Sequence, residues 1–168
     1  MSLPDLAAIL WRQREMLERL SYKLECEQLL LAAGRTRWLN AATTEVETAL
    51  EELRLLDMQR AAASDVAAAE AGLPAGMSLE QLAAGVQPPW TALLLEHRDA
   101  LLALTTELAA IAEANRHLMA AGLSAVETAL ANLGLPGAGA QAEAYDARGR
   151  TASLNRTLGG VGVVDRAL

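Results

Sequence analysis

The chain has 168 residues, 52% of them hydrophobic, a net charge of −7 and no Phe. That length suits one domain with its own core, and an acidic chain with scattered arginines argues against a nucleic-acid binder, which needs clustered cations to neutralise phosphates. Aromatic residues make up 3% and Ile occurs only at Ile9 and Ile111, so strand formers are scarce and an all-α protein is expected.

A first helix is predicted over residues 4–33. Pro4 suits a first-turn position, and Asp5 complements the helix dipole. Leu6, Leu10, Gln13, Leu17, Leu20, Leu24, Glu27 and Leu31 recur at alternating steps of four and three. This repeat keeps one stripe on one side of a helix, and the stripe must be buried against another helix. A second apolar line, Ile9, Met16 and Leu30 with Lys23 as its polar exception, widens the face and favours more than one neighbour. Gly34 is the expected stop, in the left-handed C-cap conformation.

A second helix is predicted to start at Thr36 or Arg37, with Leu39, Ala42, Val46, Ala49, Leu50, Leu53 and Leu56 inward. Over 61–71 the stripe thins to Ala with Val66 alone, so this part is expected to be helical and weakly packed. The short break after the first helix reads as an antiparallel hairpin. Gly72, Pro74 and Gly76 mark a loop. Ser78 and Gln81 have capping-box spacing and open a short helix over 79–84. Pro88 and Pro89 follow, and Pro89 can start the longest helix, over 89–133.

The long last helix carries Trp90, Leu94, His97, Leu101, Leu104, Leu108, Ile111, Asn115 and Leu118 in the same alternating register. Continuing that register meets Gly122, Ala125, Ala129 and Asn132, while the large residues move one position on, to Met119, Leu123, Val126, Leu130 and Leu133. One residue is about 100° of rotation, so the bulky face is expected to turn near Gly122. Two readings stay open. The turned face packs on the first two helices after a kink, or it docks an amphipathic helix of another protein in helix-in-groove fashion.

The last 35 residues hold seven of the twelve glycines and read as a flexible tail. The expected architecture is therefore an elongated antiparallel helical bundle of three long helices plus one short helix at 1–133, with a Gly/Ala-rich tail at 134–168. No apolar run approaches the roughly 18 residues that span a bilayer. The N-terminus lacks the basic start and apolar core of a signal peptide, and lone Cys26 forms no internal disulfide, so a cytoplasmic protein without stable membrane insertion is expected.

Catalytic chemistry is missing from the pattern, and no cofactor is expected. His97 and His117 have no ligand-spaced partners, and a bundle di-iron site needs two Glu-x-x-His pairs plus two more carboxylates. His97 lies on the seam and is expected to be a hydrogen-bonded core or boundary histidine. Asn115, also on the seam, is expected to set helix register. Cys26 lies between Glu25 and Glu27, which works against thiolate activation. No phosphate-binding or nucleophile-elbow motif is present, so an enzyme is not expected.

Four stretches resemble the FlgN-type flagellar export chaperones. Leu6 to Leu10 followed by Glu15 and Leu20 loosely follows the family's L-x-x-I-L-x-x-E-x-x-x-L start. The run Leu29-Leu30-Leu31-Ala32-Ala33-Gly34-Arg35-Thr36-Arg37-Trp38-Leu39 looks like its helix junction. Glu113-Ala114-Asn115-Arg116-His117-Leu118-Met119 is similar to its E-x-N-x-x-L-L stretch, and Tyr145-Asp146-Ala147-Arg148-Gly149 to its Y-D-x-x-G ending. The chain runs 19 residues past Gly149, longer than the family pattern.

The resemblance implies a cytosolic, non-enzymatic chaperone that covers the terminal amphipathic segments of hook-associated proteins and presents them to the export apparatus. It makes Met119, Leu123, Val126, Leu130 and Leu133 the candidate cargo face and Tyr145 a candidate contact to the export gate. The alternative is a coiled-coil scaffold that uses the same stripes for self-association, and a three-helix core leaves room for a homodimer.

Overall fold

The computed structural model describes residues 2–133. Within them the chain forms α1 Ser2–Ala32, α2 Thr36–Glu70, α3 Leu79–Gly85 and α4 Trp90–Asn132, with no strand among the described residues. The tail at 134–168 lies outside them.

Each boundary has a local cause. At Gly34, φ is +63°; the Arg35 N–H donates to the Leu30 carbonyl at 2.8 Å and the Gly34 N–H to that of Leu31 at 3.1 Å. This Schellman pair satisfies carbonyls that the end of α1 leaves open. The device recurs at Gly72 (φ +71°), where Leu73 donates to Ala68 at 2.8 Å and Gly72 to Ala69 at 3.1 Å. The expected capping box is present: Ser78 Oγ accepts from the Gln81 N–H at 3.3 Å, and Gln81 Oε1 accepts from the Ser78 N–H at 3.0 Å. It starts a short helix that seals Leu79, Leu82 and Ala83.

Helix α1 lies at the centre, with α2 and α4 both packed on it. Residue numbers rising along α1 fall along α2: Ser2 Oγ donates to Glu70 at 2.6 Å, Gln13 Nε2 to Asp57 at 3.4 Å, and Lys23 Nζ to Glu45 at 2.8 Å. They rise along α4: Arg14 pairs with Glu96 at 3.8 Å, Ser21 donates to Glu107 at 3.3 Å, and Asn115 to the Leu24 carbonyl at 3.0 Å. So α2 runs antiparallel to α1, and α4 runs parallel to it. No Cα atom of α2 comes within 8 Å of one in α4. The wide apolar face of α1 is thus used on two sides. Leu6, Leu10, Leu17 and Leu20 are sealed in the seam, and Met16 is buried beside them. Burying each such side chain contributes on the order of 2 kcal/mol.

Two expectations are corrected. The alanine-rich end of α2 packs closely: Ala67 and Ala68 are buried together with Arg60 and Ser64, and Val66 is the residue that faces out. Small side chains let the helix approach its neighbours, so absence of bulk is not absence of packing. The second correction concerns α4, which runs unbroken through Gly122 and does not turn its bulky face.

The reason lies in the period. The buried positions of α4 are Leu94, His97, Leu101, Thr105, Leu108, Ala112 and Asn115, with Leu104 and Ile111 only half-buried. An ideal helix has about 3.6 residues per turn, so a strict seven-residue register drifts by about 20° per repeat. The burial follows the straight helix, stepping to Thr105 and Ala112. Eleven residues make about three turns, so Met119 and Leu130 stand over His97 and Leu108, Leu123 over Ala112, and Val126 over Asn115. The late stripe is the core face of α4 continued in the same direction.

His97 is 1% exposed, with the Trp11 ring edge-on at 5.0 Å. Contrary to expectation, neither ring nitrogen reaches a hydrogen-bond partner among the described residues. Burial first, and then the Arg14 charge, hold its pKa below the usual histidine value, against a smaller opposing pull from Glu96. The unfolded chain therefore binds a proton more readily than the folded one, and this contribution to stability is lost as pH falls below about 6.5. We expect the urea midpoint to decline as pH falls below about 6.5 and His97→Leu to flatten that decline. An unchanged slope in the variant would assign the pH dependence to other groups.

Candidate partner-binding face

The end of the bundle is defined by one buried polar layer. Glu27 of α1, buried in the seam, accepts from Thr43 of α2 at 2.7 Å through Oε1 and from Asn115 of α4 at 3.1 Å through Oε2. Asn115 also donates to the Leu24 carbonyl at 3.0 Å. One carboxylate thus ties three helices at one level and sets their axial register, the role expected of Asn115 alone.

Beyond that layer the helices end at different heights. Helix α1 stops at Ala32 and α2 begins at Thr36. Seven residues, about 10 Å of helix, separate Glu27 from Gly34. The same rise on α4 reaches Gly122. Helix α4 continues to Asn132, so its last three turns, about 15 Å, stand clear of both neighbours.

The five predicted site residues divide accordingly. Met119, just below the turn, is half-buried. Leu123, Val126 and Leu133 are 51%, 53% and 73% exposed, and Leu130 is half-buried. All five share one line along α4. No residue after Asn115 on α4 is buried. The expected groove is absent in the sense that neither α1 nor α2 runs beside this segment. Among the described residues the stripe is an open helix face. Tyr145 lies outside the described residues.

One residue of this end escaped the sequence reading. Trp38 stands four and eight residues before Ala42 and Val46, on the side of α2 that faces α1. It lies at the height where α1 runs out, so it is 55% exposed. The guanidinium of Arg37 lies over its ring, 4.9 Å from the centroid, a cation–π arrangement. The helical spacing to Val46 was the available signal.

Charge is distributed unevenly. Between Glu27 and Glu45 the sequence contains no carboxylate, and Arg35 and Arg37 are its only charged groups. Neither forms an ion pair among the described residues. On α4, Arg116 and His117 both contact Glu113, and Glu127 is the one acid between Glu113 and the end of the helix. An acidic protein thus carries a locally basic turn beside its exposed apolar face.

Such a surface can bind a partner. Among the described residues no group of His, Cys, Asp and Glu could hold a metal ion, and no helix is long and apolar enough to cross a membrane. Cys26 is half-buried, next to Tyr22, whose pKa is raised chiefly by its hydrogen bond with Cys26.

Compared with known families, residues 1–153 match a family model described as FlgN protein. The match covers the whole described bundle and extends through Tyr145 to Gly149. No curated protein and no solved structure matches the chain.

Proposed function

Because the chain belongs to the FlgN protein family of flagellar export chaperones, we propose that it binds the terminal amphipathic segments of hook-associated proteins in the cytoplasm, keeps them from assembling early and delivers them to the export apparatus. The observation that carries this reading is the continuation of the α4 core face past both neighbours, with Leu123, Val126 and Leu133 exposed. That face has the period of a helix-packing surface. A cargo segment that is unstructured alone can order against it, taking the place that a longer α1 would have filled. Ordering costs conformational entropy and apolar burial offsets it, which suits a contact that must later be released. Contact with the export apparatus through Tyr145 belongs to the same proposal.

The test is a pull-down with an intact hook-associated protein and with a version lacking its terminal segments. Capture of the intact protein alone is the expected result. Equal capture of both, or of neither, would sink the reading. Light scattering across a concentration series examines the competing scaffold reading. A persistent symmetric oligomer that occupies the α4 face and resists displacement by cargo would favour a self-associating module.

A further inference from the structure

The open face of α4 has a closed end, and that end is chemically distinct. A guest helix lying on Leu123, Val126, Leu130 and Leu133 meets the α1–α2 turn at its lower end, where Trp38, Arg37 and Arg35 stand. Resting on the reading of this face as the cargo site, we infer that the guest runs antiparallel to α4, in line with α1, and seats an acidic C-terminal end on Arg35, Arg37 and Trp38.

Three observations converge on this polarity. The two arginines are exposed and free of ion pairs among the described residues, on a stretch without carboxylates in a chain of net charge −7. The C-terminal end of a helix carries partial negative charge, and chain-terminal or side-chain carboxylates add to it, so this end is the one that cations favour. An antiparallel guest also sets its positive N-terminal end beside the C-terminal end of α4 near Leu133; at its lower end the negative C-terminal end of α1 is offset by the positive N-terminal end of α2 and by the two arginines. Trp38 supplies a flat apolar floor already paired with a guanidinium, suited to the last apolar residue of the guest. A parallel guest would place its positive end against the arginines.

The partner class is therefore an amphipathic helix of about three to four turns with carboxylates in its last turn. The test uses the full chain and two synthetic peptides sharing one Leu/Ala stripe. One ends in Glu residues with a free carboxylate, and the other ends in Lys residues with an amide. The Glu-ended peptide should bind about tenfold more tightly at low salt, with the difference shrinking as salt is added. In Arg35→Glu/Arg37→Glu the preference should reverse, with a melting curve to check the fold, because acids here suit the start of α2 and oppose the end of α1. A nitroxide at the C-terminal end of the bound peptide should broaden the Trp38 indole resonance, and one at the N-terminal end should leave it sharp. Equal binding of both peptides that still depends on Leu123 and Leu130, or broadening from the N-terminal label, overturns the polarity and leaves the cargo face standing. Failure of both peptides to bind overturns the cargo face and this inference together.

Discussion

Replacing Leu123 and Leu130 with aspartate should abolish capture of hook-associated protein while the thermal midpoint of the bundle stays within a few degrees of the parent chain. The two sites lie past the Glu27 layer that closes the core. Leu123 is more than half exposed, so the folded chain loses little when it becomes polar. The complex loses two apolar contacts of about 1.5–3 kcal/mol each and gains two carboxylates to desolvate, so affinity should drop by at least about a hundredfold. Calorimetric titration together with a melting curve checks both halves. Cargo binding at parental affinity would move the site elsewhere. A collapsed melting curve would show that this face belongs to the core. As a companion, Leu17→Ala, in the sealed seam of α1, should do the reverse, costing about 2–5 kcal/mol of stability while cargo affinity per folded molecule persists.

Asn115→Ala should destabilise the bundle by about 2–3 kcal/mol. The substitution removes the donor to Glu27 Oε2 and to the Leu24 carbonyl and leaves both acceptors inside the seam. Thr43 still donates to Oε1, so the carboxylate keeps one partner and the loss is partial. A buried polar set is costly when half satisfied and much less so when absent. The double variant Glu27→Leu/Asn115→Leu should therefore recover most of the loss. It should also loosen the axial register, because apolar layers slide more easily than a hydrogen-bonded one. Hydrogen exchange would show this as faster opening over α4 beyond residue 112. Urea unfolding of Glu27→Leu, of Asn115→Leu and of the double variant decides the case. Additive losses in the cycle would mean that Glu27 and Asn115 do not act as a unit.

Much of this was readable before any coordinates, for reasons that can be named. Glycines at 34 and 72 end helices because left-handed backbone costs glycine little. Ser78 and Gln81 carry their capping box in their spacing. The seam of α1 from Leu6 to Glu27 is buried as its repeat implies, and its second apolar line predicted two neighbours. Besides the weak packing expected of the alanine-rich end of α2, three points failed for physical causes. The turn of the face near Gly122 came from holding α4 to a seven-residue repeat, whereas burial along α4 follows the helix's natural period from Thr105 onward. The hydrogen bond assigned to His97 depended on acceptors from other helices, which a single-helix pattern does not contain. Trp38 looked like one more hairpin residue, because its exposure arises from where α1 stops.

The four helices, the glycine and capping-box signals at their ends and the apolar residues of α4 were legible along the chain, since each depends on neighbours a few residues away; that those apolar residues form one line from Leu94 to Leu133 was not. That its last part is uncovered among the described residues emerged only from how the helices pack. Freedom depends on the relative lengths and axial register of three helices, and a buried contact among Glu27, Thr43 and Asn115, residues far apart in the chain, sets that register.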